Sequence, residues 1–202
     1  MAKCNLTIEN LSQSNSCANN MSGVKALYFI PKDDVVTINA KPSEMITNFD
    51  EAVVVGSSAM EGKAIEASVN KGFAKIFIGR DLGELKYIPQ GSMLGNRSFK
   101  ATLEIFKPVF ETKMLGFLAT MINQELILVV LLNNGEYHLI GDIDRGAIIS
   151  EGVEATSGKA PADNNGATIP FEWDAPRPQI FYEGWTPADP QHGITMIEDA
   201  AK

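Results

Sequence analysis

Between residues 98 and 106, Phe99, Ala101, Leu103 and Ile105 alternate with Ser98, Lys100, Thr102 and Glu104, and Phe106 breaks the pattern at the end. A period of two puts one set on a dry face and the other on a wet one, which predicts a half-buried strand. The same alternation recurs in "ATIPFEWDA", with Ile169, Phe171 and Trp173 inside and Thr168, Glu172 and Asp174 outside. Between these two segments the period changes. In "PVFETKMLGFLATMINQ", Phe110, Met114, Phe117, Leu118 and Met121 recur at helical spacing, and Pro108 stands where a helix can begin without losing a hydrogen bond. This predicts one helix whose Met and Phe stripe lies on a sheet.

The run Leu126–Leu132 is apolar at every position, as expected of a strand covered on both faces, by the core on one side and by a helix or a neighbouring subunit on the other. Asn133-Asn134-Gly135 supplies the residues of a tight hairpin turn. The returning strand is expected to put Glu136 and His138 on its wet side, opposite Tyr137 and Leu139. Upstream, "GVKALYFIPKDDVVTIN" reads as a hairpin, two strands around a Pro-Lys-Asp-Asp turn. Further strands are expected in "FAKIFIG", "ELKYI", "AIISEGVEATSG" and "PQIFYEGW", and a short helix over Ala59–Val69. The expected organisation is an N-terminal arm at 1–22, a β domain at 23–185 with an insertion or long loop system at about 41–95, and a tail at 186–202. Several antiparallel strands and one helix make an α+β fold built mainly on an antiparallel β-sandwich or partial barrel.

A chain of 202 residues, 45% of them apolar, can bury a core without covalent staples. Cys4 and Cys17 both lie in the polar arm and form neither a disulfide framework nor a zinc signature. The start "MAKCNLTIENL" lacks the apolar stretch of a secretory signal, so synthesis and folding are expected in a cytoplasm. Charge is unevenly placed: 12 basic against 11 acidic residues through position 110, and 5 against 14 beyond it. An acidic second half opposes gripping DNA, because affinity for phosphates comes from Lys and Arg, but it does not oppose DNA passing nearby.

Chemistry-bearing motifs are few. "VVVGSSAMEGKA" has the order of a phosphate-binding loop, yet five residues separate Gly56 from Gly62-Lys63 where four are needed, Ala64 has no hydroxyl for Mg²⁺, and Glu61 adds a negative charge. It reads as a Gly/Ser turn, and the nucleotide-binding enzyme built on 56–64 is the alternative of another class. Asp142 and Asp144 in "GDIDRG", like Asp33 and Asp34, read as solvated turns. A ligand-binding module using Trp173, Tyr182 and Trp185 is a further alternative. No catalytic residue, metal ligand or cofactor is expected.

The stretches "GVKALYFIPKDDVVTI", "NRSFKATLEIFKP", "LILVVLLNNGEYHLIGDIDRG", "EATSGKAPADNNGATIPFEWDAP" and "IFYEGW", about two thirds of the chain, resemble the major tail tube proteins of tailed bacteriophages. The resemblance implies a structural virion protein of the tail, made in the host bacterial cytoplasm. It further implies that copies associate into hexameric rings that stack into a tube, in contact with a tape measure, a terminator and a baseplate or tip, and that double-stranded DNA passes through the lumen without specific binding. A neck or tail-completion ring, or the inner tube of an injection system, is the alternative within that class. Lys100, Glu104, Glu136, His138, Glu172 and Asp174 are the candidates for lining the channel. Carboxylates on rigid strands would repel phosphates within a Debye length of about 8 Å.

Overall fold

The structure is a computed structural model that describes residues 21–38, 54–55, 65–93, 97–160, 162–175, 177–181, 194 and 196–197. In chain order its elements are β1 (Val24–Pro31), β2 (Val35–Ile38), β3 (Val54–Val55), β4 (Ile65–Ala67), β5 (Ala74–Phe77), β6 (Gly83–Gln90) and β7 (Ser98–Pro108). Helix α1 (Thr112–Met121) follows, then β8 (Leu126–Leu132), β9 (Tyr137–Ile140), β10 (Ile148–Ile149), β11 (Glu154–Thr156), β12 (Gly166–Ala175) and β13 (Ile180–Phe181). The fold is α+β, dominated by antiparallel sheets; among the described residues there is one α-helix, and only β3 and β13 run parallel as a strand pair.

One sheet has the order β3-β13-β9-β8-β1-β5, a second runs β10-β12-β7-β6 with β11 also on β12, and β2 and β4 form a separate pair. Alternation in β7 and β12 directs Ala101, Leu103, Ile105, Ile169, Phe171 and Trp173 into one buried cluster, as their spacing predicts. There they meet Leu27, Phe29, Leu126, Leu128 and Val130 of the six-stranded sheet, with Met114 and Leu118 of α1. Phe117 adds an edge-on contact with Phe29, ring centres 5.1 Å apart. The helix therefore lies on a sheet through the expected stripe, except that Phe110 precedes it and is exposed.

A second cluster sits on the opposite face of the six-stranded sheet, where Tyr28, Ile30, Ile127, Val129 and Leu139 pack with Val35, Ile38, Ile65, Phe73 and Ile194. The unbroken apolar run of β8 is thus divided, even positions to the first core and odd positions to the second. Strand β1 divides in the same way, and a bulge between Val24 and Ala26 switches parity so that Val24 joins Leu27 and Phe29. The second covering layer comes from this chain's own strands rather than from a helix.

Three expectations need correction. The strands on either side of Lys32–Asp34 do not pair with each other: β1 is hydrogen-bonded to β5 and β8, and β2 to β4. The turn carries the chain from inside the large sheet to the layer that covers it, because both edges of β1 are already occupied. Pro108 ends β7 instead of opening the helix, which starts four residues later after Val109 at φ 85°. Residues 65–67 of the expected short helix are strand β4, since pairing with β2 and full burial of Ile65 outweigh a weak helical pattern. The stretch at about 41–95 supplies β5 to the edge of one sheet and β6 to the edge of the other. The hairpin at Asn133-Asn134-Gly135 is present, with Gly135 at φ 98°.

Candidate functional site

The wet faces of β6, β7 and β12 form one continuous surface on the outside of the five-stranded sheet. Register places Glu84 beside Glu104, Lys86 beside Thr102, and Ile88 beside Lys100 across β6 and β7. On the other flank Lys100 faces Asp174 and Thr102 faces Glu172. Four of the six expected positions, Lys100, Glu104, Glu172 and Asp174, are therefore brought together.

Their charges are mostly answered within the sheet. Lys100 Nζ lies 2.6 Å from Glu172 Oε2, a diagonal cross-strand pair, and Lys86 Nζ lies 2.6 Å from Glu84 Oε2. Arg145 Nη1 stands 3.4 Å from Asp174 Oδ2, while Gln90 Nε2 donates to Asp174 Oδ1 at 3.1 Å. The hydrogen bond to Glu172 raises the Lys100 pKa, and the one to Glu84 raises that of Lys86. Glu104, exposed, has no ion pair among the described residues. Beneath these side chains the Thr102 hydroxyl is buried without a partner. The face as a whole is mostly polar, and its charges nearly cancel.

Glu136 and His138 belong elsewhere, at the β8–β9 hairpin of the six-stranded sheet. Glu136 ties the turn: its N–H donates to Asn134 Oδ1 at 3.0 Å and its carboxylate accepts from Asn134 Nδ2 at 2.9 Å. His138 is not on a wet side, for its side chain is only 12% exposed. It faces inward opposite Val130, and β6 of the second sheet closes over it through Tyr87. The Tyr87 hydroxyl is 3.2 Å from His138 Nδ1, with ring centres 5.8 Å apart. Burial pushes the Tyr87 phenol well above its ordinary pKa, so the hydroxyl stays protonated and shares one hydrogen bond with His138 Nδ1. Nε2 is buried without a hydrogen bond, 3.7 Å from Glu136 Oε2. Burial holds the His138 pKa below its usual value, against the opposing pull of Glu136.

Tyr87 is the residue that sequence reasoning missed. Its signal was the alternation of Leu85 and Tyr87 against Glu84, Lys86 and Ile88, which marks Tyr87 as an inward residue on a strand read only as short. The remaining candidates fall as follows. Asp142 closes a tight turn, its N–H donating to the Arg145 carbonyl at 2.8 Å and its carboxylate accepting from the Ile143 N–H. Asp34 pairs with Lys71 at 3.3 Å. Trp173 is buried in the first core, its Nε1 without a partner. The loop 56–64, Tyr182, Trp185 and both cysteines lie outside the described residues. Among the described residues no group of three or more His, Cys, Asp or Glu is arranged to hold a metal ion, and no helix is long and apolar enough to cross a membrane. Comparison with protein-family models, curated proteins and solved structures found no match, so this chemistry has to be read on its own terms.

Proposed function

We propose that this chain is a structural subunit of a bacteriophage tail tube, self-associating into hexameric rings that stack around a passage for double-stranded DNA. The finer fold in this reading is a β-sandwich or partial barrel completed by its neighbours. The observation that carries it is strand β6: eight residues long, it pairs as a strand only with β7, and its other edge faces no strand among the described residues. A long free edge is a template for another strand, and it is normally blunted or covered. Pro89 is tolerated there because one side of the strand has no partner strand among the described residues. Exposed Phe77, Val109, Leu115 and Ile122 add apolar surface for neighbours to cover.

The face next to that edge suits a passage for a polyanion. Cations held by carboxylates on the same sheet offer phosphates little to grip, and paired charges cost DNA little to pass. Negative-stain images at rising protein concentration test the reading. Rings or rods are expected; a protein that stays monomeric by light scattering up to millimolar concentration overturns it.

A further inference from the structure

The second core is closed by a segment that returns from far along the chain. Ile194 and Met196 bridge, in parallel, to Ile65 and Phe73, and the Ile197 N–H donates to the Phe73 carbonyl at 3.1 Å. Ile194 is 4% exposed and lies in the second core with Ile65 and Phe73, both fully buried, while Met196 packs at its margin and Ile197 faces solvent. The seat is shaped for backbone. A Cβ on Gly72 would come within 2.6 Å of Ile197 N and Met196 C, and no flexible side chain is there to move aside.

The attachments elsewhere are of another kind. Strand β12 joins β7 through ten consecutive residue pairs, whereas among the described residues the returning segment makes two isolated bridges. Little backbone bonding over a fully apolar seat is the makeup of a unit that opens before the rest of the molecule. We infer that the cleft over Ile65, Gly72 and Phe73 is a strand-accepting site, filled in this chain by its own Ile194–Met196–Ile197 segment acting as a removable strap. The ligand class is an extended peptide with apolar side chains two residues apart, entering parallel to the bridges seen here. This inference does not rest on the tail tube reading.

Hydrogen exchange on the full chain tests the strap directly. Amides of 65–73 and of 194–197 should exchange in step, at least about tenfold faster than those of β7 and β12, as expected for a subglobal opening. Gly72→Ala penalises only the docked state, so it should speed both segments about tenfold or more and leave β7 and β12 unchanged. A single common rate for all four segments, or no response to Gly72→Ala, overturns the inference. The site is tested with a fluorescent peptide of residues 191–202. The full-length Ile194→Asp chain, its strap unseated, should bind it at least about tenfold more tightly than the wild type, whose tethered strap competes at high effective concentration. Adding Gly72→Ala to Ile194→Asp should abolish the gain. Equal binding by wild type and Ile194→Asp, or loss of all strand signal in Ile194→Asp, counts against a separable strap.

Discussion

The two cores flanking the six-stranded sheet contain the same kinds of side chain and are closed by opposite means. The first is sealed by β7 and β12, long strands paired over ten consecutive positions, with α1 filling the remaining side. The second is sealed by a two-stranded pair and by isolated bridges from Ile194 and Met196. Apolar burial supplies the driving force in both places, but only the first is locked by a continuous backbone ladder. The difference teaches that burial alone does not make a region cooperative with the rest of the fold.

Phe171 and Phe73 allow the comparison to be broken, since both rings are fully buried, one in each core. Phe171→Ala should cost about 3–5 kcal/mol in urea unfolding, the range for a large buried ring whose cavity cannot collapse. Phe73→Ala should fall at or below the low end of that range, because the strap can settle into the space. A larger loss for Phe73→Ala would show that the second core is the more rigid of the two. Next in size is Gly166→Ala. A Cβ there would collide with the Lys107 carbonyl oxygen, so β12 must shift from β7 at a cost of about 1–3 kcal/mol. Here the loss should be global, lowering the urea midpoint with the m-value unchanged, in contrast to the local opening expected of Gly72→Ala.

What the sequence made legible follows the same division. Strands with one wet face announce themselves: the alternation of 99–105 and 167–175 identified both the strands and their inward residues. For β8 the uniform apolar run signalled two covered faces but carried no information about what covers them, because a strand buried on both sides has no polar side to orient it. The cover proved to include Ile65, Phe73 and Ile194, from stretches with weak periodicity. Pairing partners were equally hidden around Lys32–Asp34, where turn chemistry reads the same whether the chain reverses within a sheet or leaves it. Of the candidate face, the four positions on β7 and β12 were legible from alternation. His138 was not, since its burial depends on Tyr87 of a strand in the other sheet.

That contact between the sheets predicts a pH effect of intermediate size. The folded His138 pKa lies below the unfolded value of 6.5, so the imidazole is neutral in the fold where the unfolded chain takes up a proton. Its stabilising contribution is complete above pH 6.5 and is lost as pH falls from there toward the folded value, at up to about 1.4 kcal/mol per pH unit. Glu136 and the Tyr87 hydroxyl face the ring, and the carboxylate reduces the slope without reversing it. His138→Gln should flatten urea stability between pH 7 and 5.5 relative to the wild type. Equal slopes in the two proteins would mean that His138 titrates freely.

The smallest effect is expected on the exposed face, and it separates the role of a charge from the role of its partner. Lys100 and Glu172 are both solvent-accessible, so a double-mutant cycle should give a coupling of only about 0.2–1 kcal/mol, shrinking as salt rises. In the proposed tube the pair matters more for what it prevents. Glu172→Gln removes the carboxylate and leaves Lys100 free to meet a phosphate, so retention of duplex DNA by that variant should appear at low salt. Its dependence on salt should correspond to about one cation contact per bound subunit. Lys100→Gln combined with Glu172→Gln removes both charges and should retain no more DNA than the wild type. If the double variant retained DNA as well as Glu172→Gln alone, the grip would come from somewhere other than Lys100, and the balance of charges on this face would not govern DNA retention.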